Sequence, residues 1–121
     1  MKDEILNMPA GREIEALIAV EIFGWQWLPW SGNTEQKVLV QYPEQAESMD
    51  WWGKDVMDLV PGYSTDIAAA WDVVYKLHNV AINRHHVFWF CSFKGNESAQ
   101  GETAPLAICR AALLAVVGAT I

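Results

Sequence analysis

The stretch PGYSTDIAAAWDVVYKL, residues 61–77, places a tight turn, two hydroxyls and a carboxylate directly ahead of an alanine-rich apolar run. Proline and glycine mark the turn. Ser64 or Thr65 is positioned to cap the first free N–H groups of a helix, and Asp66 in the first turn suits the positive end of the helix dipole. Ile67, Ala70, Trp71, Val74 and Leu77 recur at helical spacing, which predicts an amphipathic helix with those five residues packed on a sheet. Asp72 and Lys76 sit one turn apart on the outer face, acid before base.

Toward the N-terminus, AGREIEALIAVEI (residues 10–22) carries Ile14, Leu17, Ile18 and Ile22 on one stripe. This is a second helix, with Glu13 and Glu15 near its positive end and Gly24 as its stop. GWQWLPW follows. Trp25 and Trp27 alternate with Gln26, which predicts a short strand with both rings on one face, ended by Pro29. SGNTEQ reads as a turn cluster and KVLVQY as a second strand, closed by Pro43. Residues 43–60 are acidic, with Trp51, Trp52, Val56, Met57 and Leu59 as scattered apolar points, and read as an irregular excursion.

Toward the C-terminus, NVAIN and HHVFWFCSF read as two strands joined at Asn83 and Arg84. The second is almost continuously apolar, as for a central strand covered on both faces. KGNESAQGE reads as a loop. TAPLAICRAALLAVVG is a helix with Thr103 as cap, Pro105 in its first turn and Arg110 as its only charge. A helix apolar nearly all round must be covered on more than one side. The order is helix, two strands, excursion, helix, two strands, helix. Two hairpins separated by a helix predict an α+β fold, a mostly antiparallel sheet of about four strands with helices packed on it.

The totals agree with one domain spanning residues 1–121. A hydrophobic content of 52% excludes a disordered chain. The net charge of −7 repels a phosphate backbone, so no nucleic acid polymer is expected as a partner. A small anion held by one or two local cations remains compatible with it. Cys91 and Cys109 have no CxxC or other metal-ligand spacing and read as reduced core thiols of a cytosolic protein. The N-terminal stretch lacks an apolar signal core, and AALLAVVGATI is too short to span a bilayer, so no membrane partner is expected.

Three segments carry a family resemblance: MPAGREIEALIAVEIFGWQW, PGYSTDIAAAWDVVYKL and GETAPLAICRAALLAVV. In this order they resemble the phage ABA sandwich domain, a family of small proteins of tailed phages and prophages. The chain departs from the family pattern between about Gln36 and Val60 and in the hairpin around Arg84. The resemblance implies a three-layer α/β/α sandwich and carries no catalytic residues to transfer.

Seven tryptophans are the unusual feature of the composition. Trp25 and Trp27 read as core, and Trp71, on the apolar stripe, as core too. Trp30, after a proline at a strand end, reads as exposed, and adjacent Trp51 and Trp52 would face opposite ways in a strand. Arg84, His85 and His86 read as a solvated turn or as a phosphate clamp. The ligand site expected from these residues joins Trp30, Trp51, Trp52, Tyr63, Ser64, Thr65, Arg84 and His86: rings to stack a base, a guanidinium for phosphate, and N–H groups at a helix start. No nucleophile elbow, P-loop or paired-carboxylate signature accompanies them, so neither an enzyme nor a metal or cofactor is expected.

The function expected from phage context is a non-catalytic accessory protein of the bacterial host cytoplasm that sequesters a nucleotide-derived immune signal. The alternatives are a protein-binding inhibitor of a host defence enzyme and an accessory or structural protein with no small ligand. The apolar C-terminal helix adds a further expectation: a homo-oligomer with that helix near the interface, unless residues 43–60 cover it within one chain.

Overall fold

The computed structural model describes residues 2–30, 33–48, 55–95 and 97–117. Its elements run α1 (Lys2–Asn7), α2 (Arg12–Phe23), β1 (Gln26–Trp30), β2 (Asn33–Val40), α3 (Pro43–Ser48), α4 (Ile67–Leu77), β3 (Val80–His85), β4 (Phe88–Phe93), β5 (Ala99–Gly101) and α5 (Ala104–Val116). The fold is α+β, with helices packed on antiparallel strands as expected. The strands divide into two sheets, β1–β2 and β3–β4–β5, and every pairing is antiparallel.

Local chemistry accounts for the main boundaries. Gly24 ends α2 in the left-handed region at φ 75°. Thr103 caps α5, its hydroxyl accepting from the Leu106 N–H at 3.3 Å, and Pro105 lies in the first turn where its missing donor costs nothing. The cap of α4 is Asp66, whose carboxylate accepts from the Ala68 N–H at 3.0 Å; neither Ser64 nor Thr65 takes that role. Pro29 lies inside β1 rather than ending it, which an edge strand paired on one side only allows. Pro43 begins α3 instead of merely closing β2.

The second hairpin turns later than its sequence indicates. Arg84 lies in β3 opposite Trp89, and the reversal falls at His86 and Val87, with His86 in the left-handed region at φ 58°. Part of the expected KGNESAQGE loop forms β5, the third strand of that sheet. β4 is the central strand, as its sequence indicates, but only one of its faces is fully covered. Cys91 and Phe93 are buried toward α5, whereas Phe88 is 37% exposed on the outer face, beside exposed Asn83 and His85 of β3.

α5 is the centre of the molecule. It packs on β4 and β5, and α2, α4 and α1 also lie against it. Every residue from Pro105 to Leu114 is buried except Arg110. The apolar circumference is therefore covered within one chain, mainly by α2, α4 and the sheet, so the reason for placing an oligomer interface on this helix falls away. A smaller cluster gathers Trp30, Val38, Val40 and Ala46 between β1, β2 and α3. No helix among the described residues is long and apolar enough to cross a membrane.

The face that α4 buries differs from the expected stripe. Ala69, Ala70, Val73 and Val74 are its buried residues, and α5 is its main support. Ile67 is 51% and Trp71 41% exposed, so both leave the core. An alanine-rich helix approaches its neighbour through its smallest side chains, and that rotates the large ones outward.

Candidate functional site

Of the eight residues expected to form a ligand site, the six that are described do not line one common cleft. Trp51 and Trp52 lie outside the described residues. Trp30 is 7% exposed inside the small core cluster, so its ring is packing rather than a stacking platform. Tyr63 is 4% exposed and stacked on Phe23, with ring centroids 5.3 Å apart. Arg84 is exposed on β3, its guanidinium 5.9 Å from the Trp89 ring centroid, and His86 stands edge-on to His85 at the hairpin reversal. Thr65 is exposed ahead of α4. Neither of the two clefts considered below is lined by Trp30, Arg84 or His86.

Ser64 is instead half of a buried polar lock. Its hydroxyl donates to Glu15 Oε2 at 2.7 Å, and its N–H donates to the same oxygen at 3.2 Å. The hydroxyl oxygen accepts the Gly11 N–H at 2.9 Å. Glu15, 3% exposed, pairs through Oε1 with Arg12 at 3.1 Å, and Arg12 also donates to the Val60 and Met57 carbonyls. A buried carboxylate is tolerable only when its oxygens are matched in this way. The network joins the turn before α4 to the first turn of α2. It has no access to solvent at Ser64, which is 1% exposed.

Two clefts do gather chemistry. The first has a volume of about 460 Å³ and is lined by Leu6 and Asn7 of α1, Phe88 and Phe90 of β4, Gln100 and Glu102 around β5, and Arg110 of α5. Arg110 is held from behind. Its Nε and Nη2 donate to the Met8 carbonyl at 3.0 and 2.9 Å, and Nη1 donates to the Gln100 carbonyl at 2.7 Å. A guanidinium carries five N–H donors, so two remain after these three bonds. Burial pulls the Arg110 pKa below its ordinary value, against the opposing charge of Glu102, and the group stays cationic at any physiological pH. Nothing in the local pattern marked Phe88 and Phe90 as site residues. Arg110 did carry a signal, being the only charge on an otherwise apolar helix: such a cation must find oxygen partners.

The second cleft, also of about 460 Å³, lies between α2, the start of β1 and α4, and is lined by Phe23, Trp25, Tyr63, Asp72, Tyr75 and Lys76 among others. Burial first, and then the charges of Asp72 and Cys109, push the Tyr63 phenol up to about 12. Neither thiol is poised for chemistry. Both cysteines are free and buried, and burial pushes Cys91 up to about 12 and Cys109 in the same direction.

The family model described as the phage ABA sandwich domain matches residues 16–113, which run from within α2 to within α5. No curated protein and no solved structure matches the chain.

Proposed function

Because this chain belongs to the phage ABA sandwich domain family, and so reads as a phage accessory protein, we propose that it is a non-catalytic one that binds and sequesters a nucleotide-derived immune signal in the cytoplasm of the bacterial host. The observation that carries this reading is the Arg110 cleft. It combines a guanidinium held in place by two backbone carbonyls with two phenylalanine rings, Phe88 and Phe90, in a space of about 460 Å³. A fixed guanidinium with spare donors suits one phosphate, and ring faces suit a base of any sequence. A chain of net charge −7 disfavours polymeric nucleic acid but not a single small anion at a local cation. Turnover has no place in the reading. The Ser64 hydroxyl is closed off from solvent and the Cys91 thiol is held protonated by burial.

Calorimetry against a panel of cyclic and linear nucleotide second messengers tests it. The expected result is tight binding of at least one, with the ligand recovered unchanged after heat denaturation. Phe88→Ala, at a 37% exposed position, should weaken that binding about fivefold or more, as for loss of one base stack. A ligand recovered as a different product would make the protein an enzyme, and a panel that fails entirely would overturn the reading.

One observation favours a second reading, in which the chain inhibits a host defence enzyme by binding it. Ile67, Trp71 and Tyr75 form an exposed apolar ridge along α4, and tryptophan and tyrosine concentrate interface energy. The expected homo-oligomer also belongs on this ridge rather than on buried α5. Light scattering that gives the mass of one chain at every concentration would remove the oligomer and leave the ridge to a different protein.

A further inference from the structure

We propose that the groove between α2 and α4 is a separate site for an organic cation: an amine, alkylammonium or guanidinium group. The argument starts from its walls. The Phe23 and Tyr63 rings lie nearly parallel, 13° apart in plane with centroids at 5.3 Å, and make one rigid wall. Trp25, 7% exposed, adds a further aromatic surface. Tyr75, 65% exposed, is the outer wall, and Trp71 meets it edge-on at 6.3 Å and 87°. Aromatic faces carry the negative end of the ring quadrupole, so the exposed Tyr75 ring bordering this apolar wall favours a cation over a neutral guest.

The charge at the groove has the matching sign. Asp72 lines it together with Tyr63. Among the described residues Asp72 has no ion-pair partner within 4.0 Å, not even Lys76 one turn on. Lys76 also lines the groove and opposes a cation there. Its ammonium rides on a long exposed stem that can extend into water, whereas the Trp25 and Tyr63 rings are held by burial. The net charge of −7 draws cations toward the whole surface. Four aromatic side chains and a carboxylate unpaired among the described residues thus set this site apart from the Arg110 cleft, whose fixed charge is positive.

The same chemistry is offered by a free polyamine and by a lysine or arginine side chain of another protein. Titration with tetramethylammonium, spermidine and N-acetyl-arginine amide, read by tryptophan fluorescence and calorimetry, should give saturable binding by at least one of them that weakens with salt. Spermidine saturating first identifies a free polyamine as the guest, and the blocked arginine saturating first identifies a protein side chain. Tyr75→Ala should weaken binding about threefold to fivefold, the range for an exposed cation–π contact. Asp72→Asn should weaken it at least as much, and Lys76→Ala should tighten it. All three positions are exposed, so the fold should tolerate each change. Phe88→Ala should leave cation binding untouched, which separates failure here from failure of the Arg110 cleft. Absence of saturable binding by all three probes overturns the proposal. So does the opposite sign pattern, with Lys76→Ala weakening and Asp72→Asn strengthening, because the groove would then be an anion site.

Discussion

Ser64 takes part in three hydrogen bonds: two buried ones donated to Glu15 and a part-buried one accepted from Gly11. Ser64→Ala removes the hydroxyl from two of them at once. It leaves the Gly11 N–H unmatched and strips one partner from a carboxylate that is 3% exposed. A buried polar group without its partner costs about 1–3 kcal/mol, so urea unfolding of the variant should show a loss in that range. A loss under about 0.5 kcal/mol, the scale of an ordinary surface change, would mean that the lock contributes nothing. None of this was legible from the local pattern. A hydroxyl ahead of an apolar run looks like a cap, and Glu15 looks like a surface acid near a helix start. The two are 49 residues apart, and only the packing of α2 beside the turn brings them together. The actual cap, Asp66, stands two residues later, where the sequence pattern suits a first-turn acid equally well.

At the scale of the element, α4 shows how a correct helix can carry a partly wrong face: Ala70 and Val74 of the expected stripe are buried, whereas Ile67 and Trp71 are exposed. The helical period over residues 67–77 was legible, and so were the limits of α2 and α5, because each rests on a local signal: a cap, a glycine or a proline. Which side faces inward was not, because alanine satisfies both faces. Ala69, Ala70 and Val73 fit the close approach to α5, and Trp71 is left 41% exposed. Trp71→Ala should therefore cost about 1 kcal/mol or less, near the range of surface substitutions. Ala69→Leu, at a buried position outside the expected stripe, should cost about 1–3 kcal/mol through overpacking. Thermal or urea unfolding of the pair checks the rotation, and a reversed order of the two losses would restore the original stripe. β5 was missed for a different reason. Three residues, Ala99–Gly101, are too few to show alternation, and the strand exists because β4 offers it a ladder. A Cβ on Gly101 would come within 2.6 Å of the Ala107 backbone nitrogen, so that glycine serves the approach of α5 and not a flexible loop.

At the scale of the whole molecule, one core built around α5 holds three groups that must stay protonated. Tyr63, Cys91 and Cys109 all belong to the same apolar cluster. Burial is the largest cause of the shift in each, taking the Cys91 thiol from 9.0 to about 12 and the Tyr63 phenol from 10.0 to about 12, with Cys109 moved the same way. Each folded-state value lies above the unfolded one, so the folded chain keeps protons that the unfolded chain releases as pH rises. Stability then falls with pH wherever the folded state binds the extra protons. Below pH 9 this contribution is complete, and between pH 9 and about 12 it is progressively lost. Urea unfolding at pH 8, 10 and 11 should show a falling midpoint. Cys91→Ala and Tyr63→Phe should each make that fall shallower, because neither replacement titrates. A midpoint constant from pH 8 to 11 would mean that these groups reach solvent in the folded chain and that the core around α5 is open. The two free thiols make the alkaline limb sharper than a core of aliphatic residues alone would give, and no acidic residue can compensate, since carboxylates are fully ionised throughout that range.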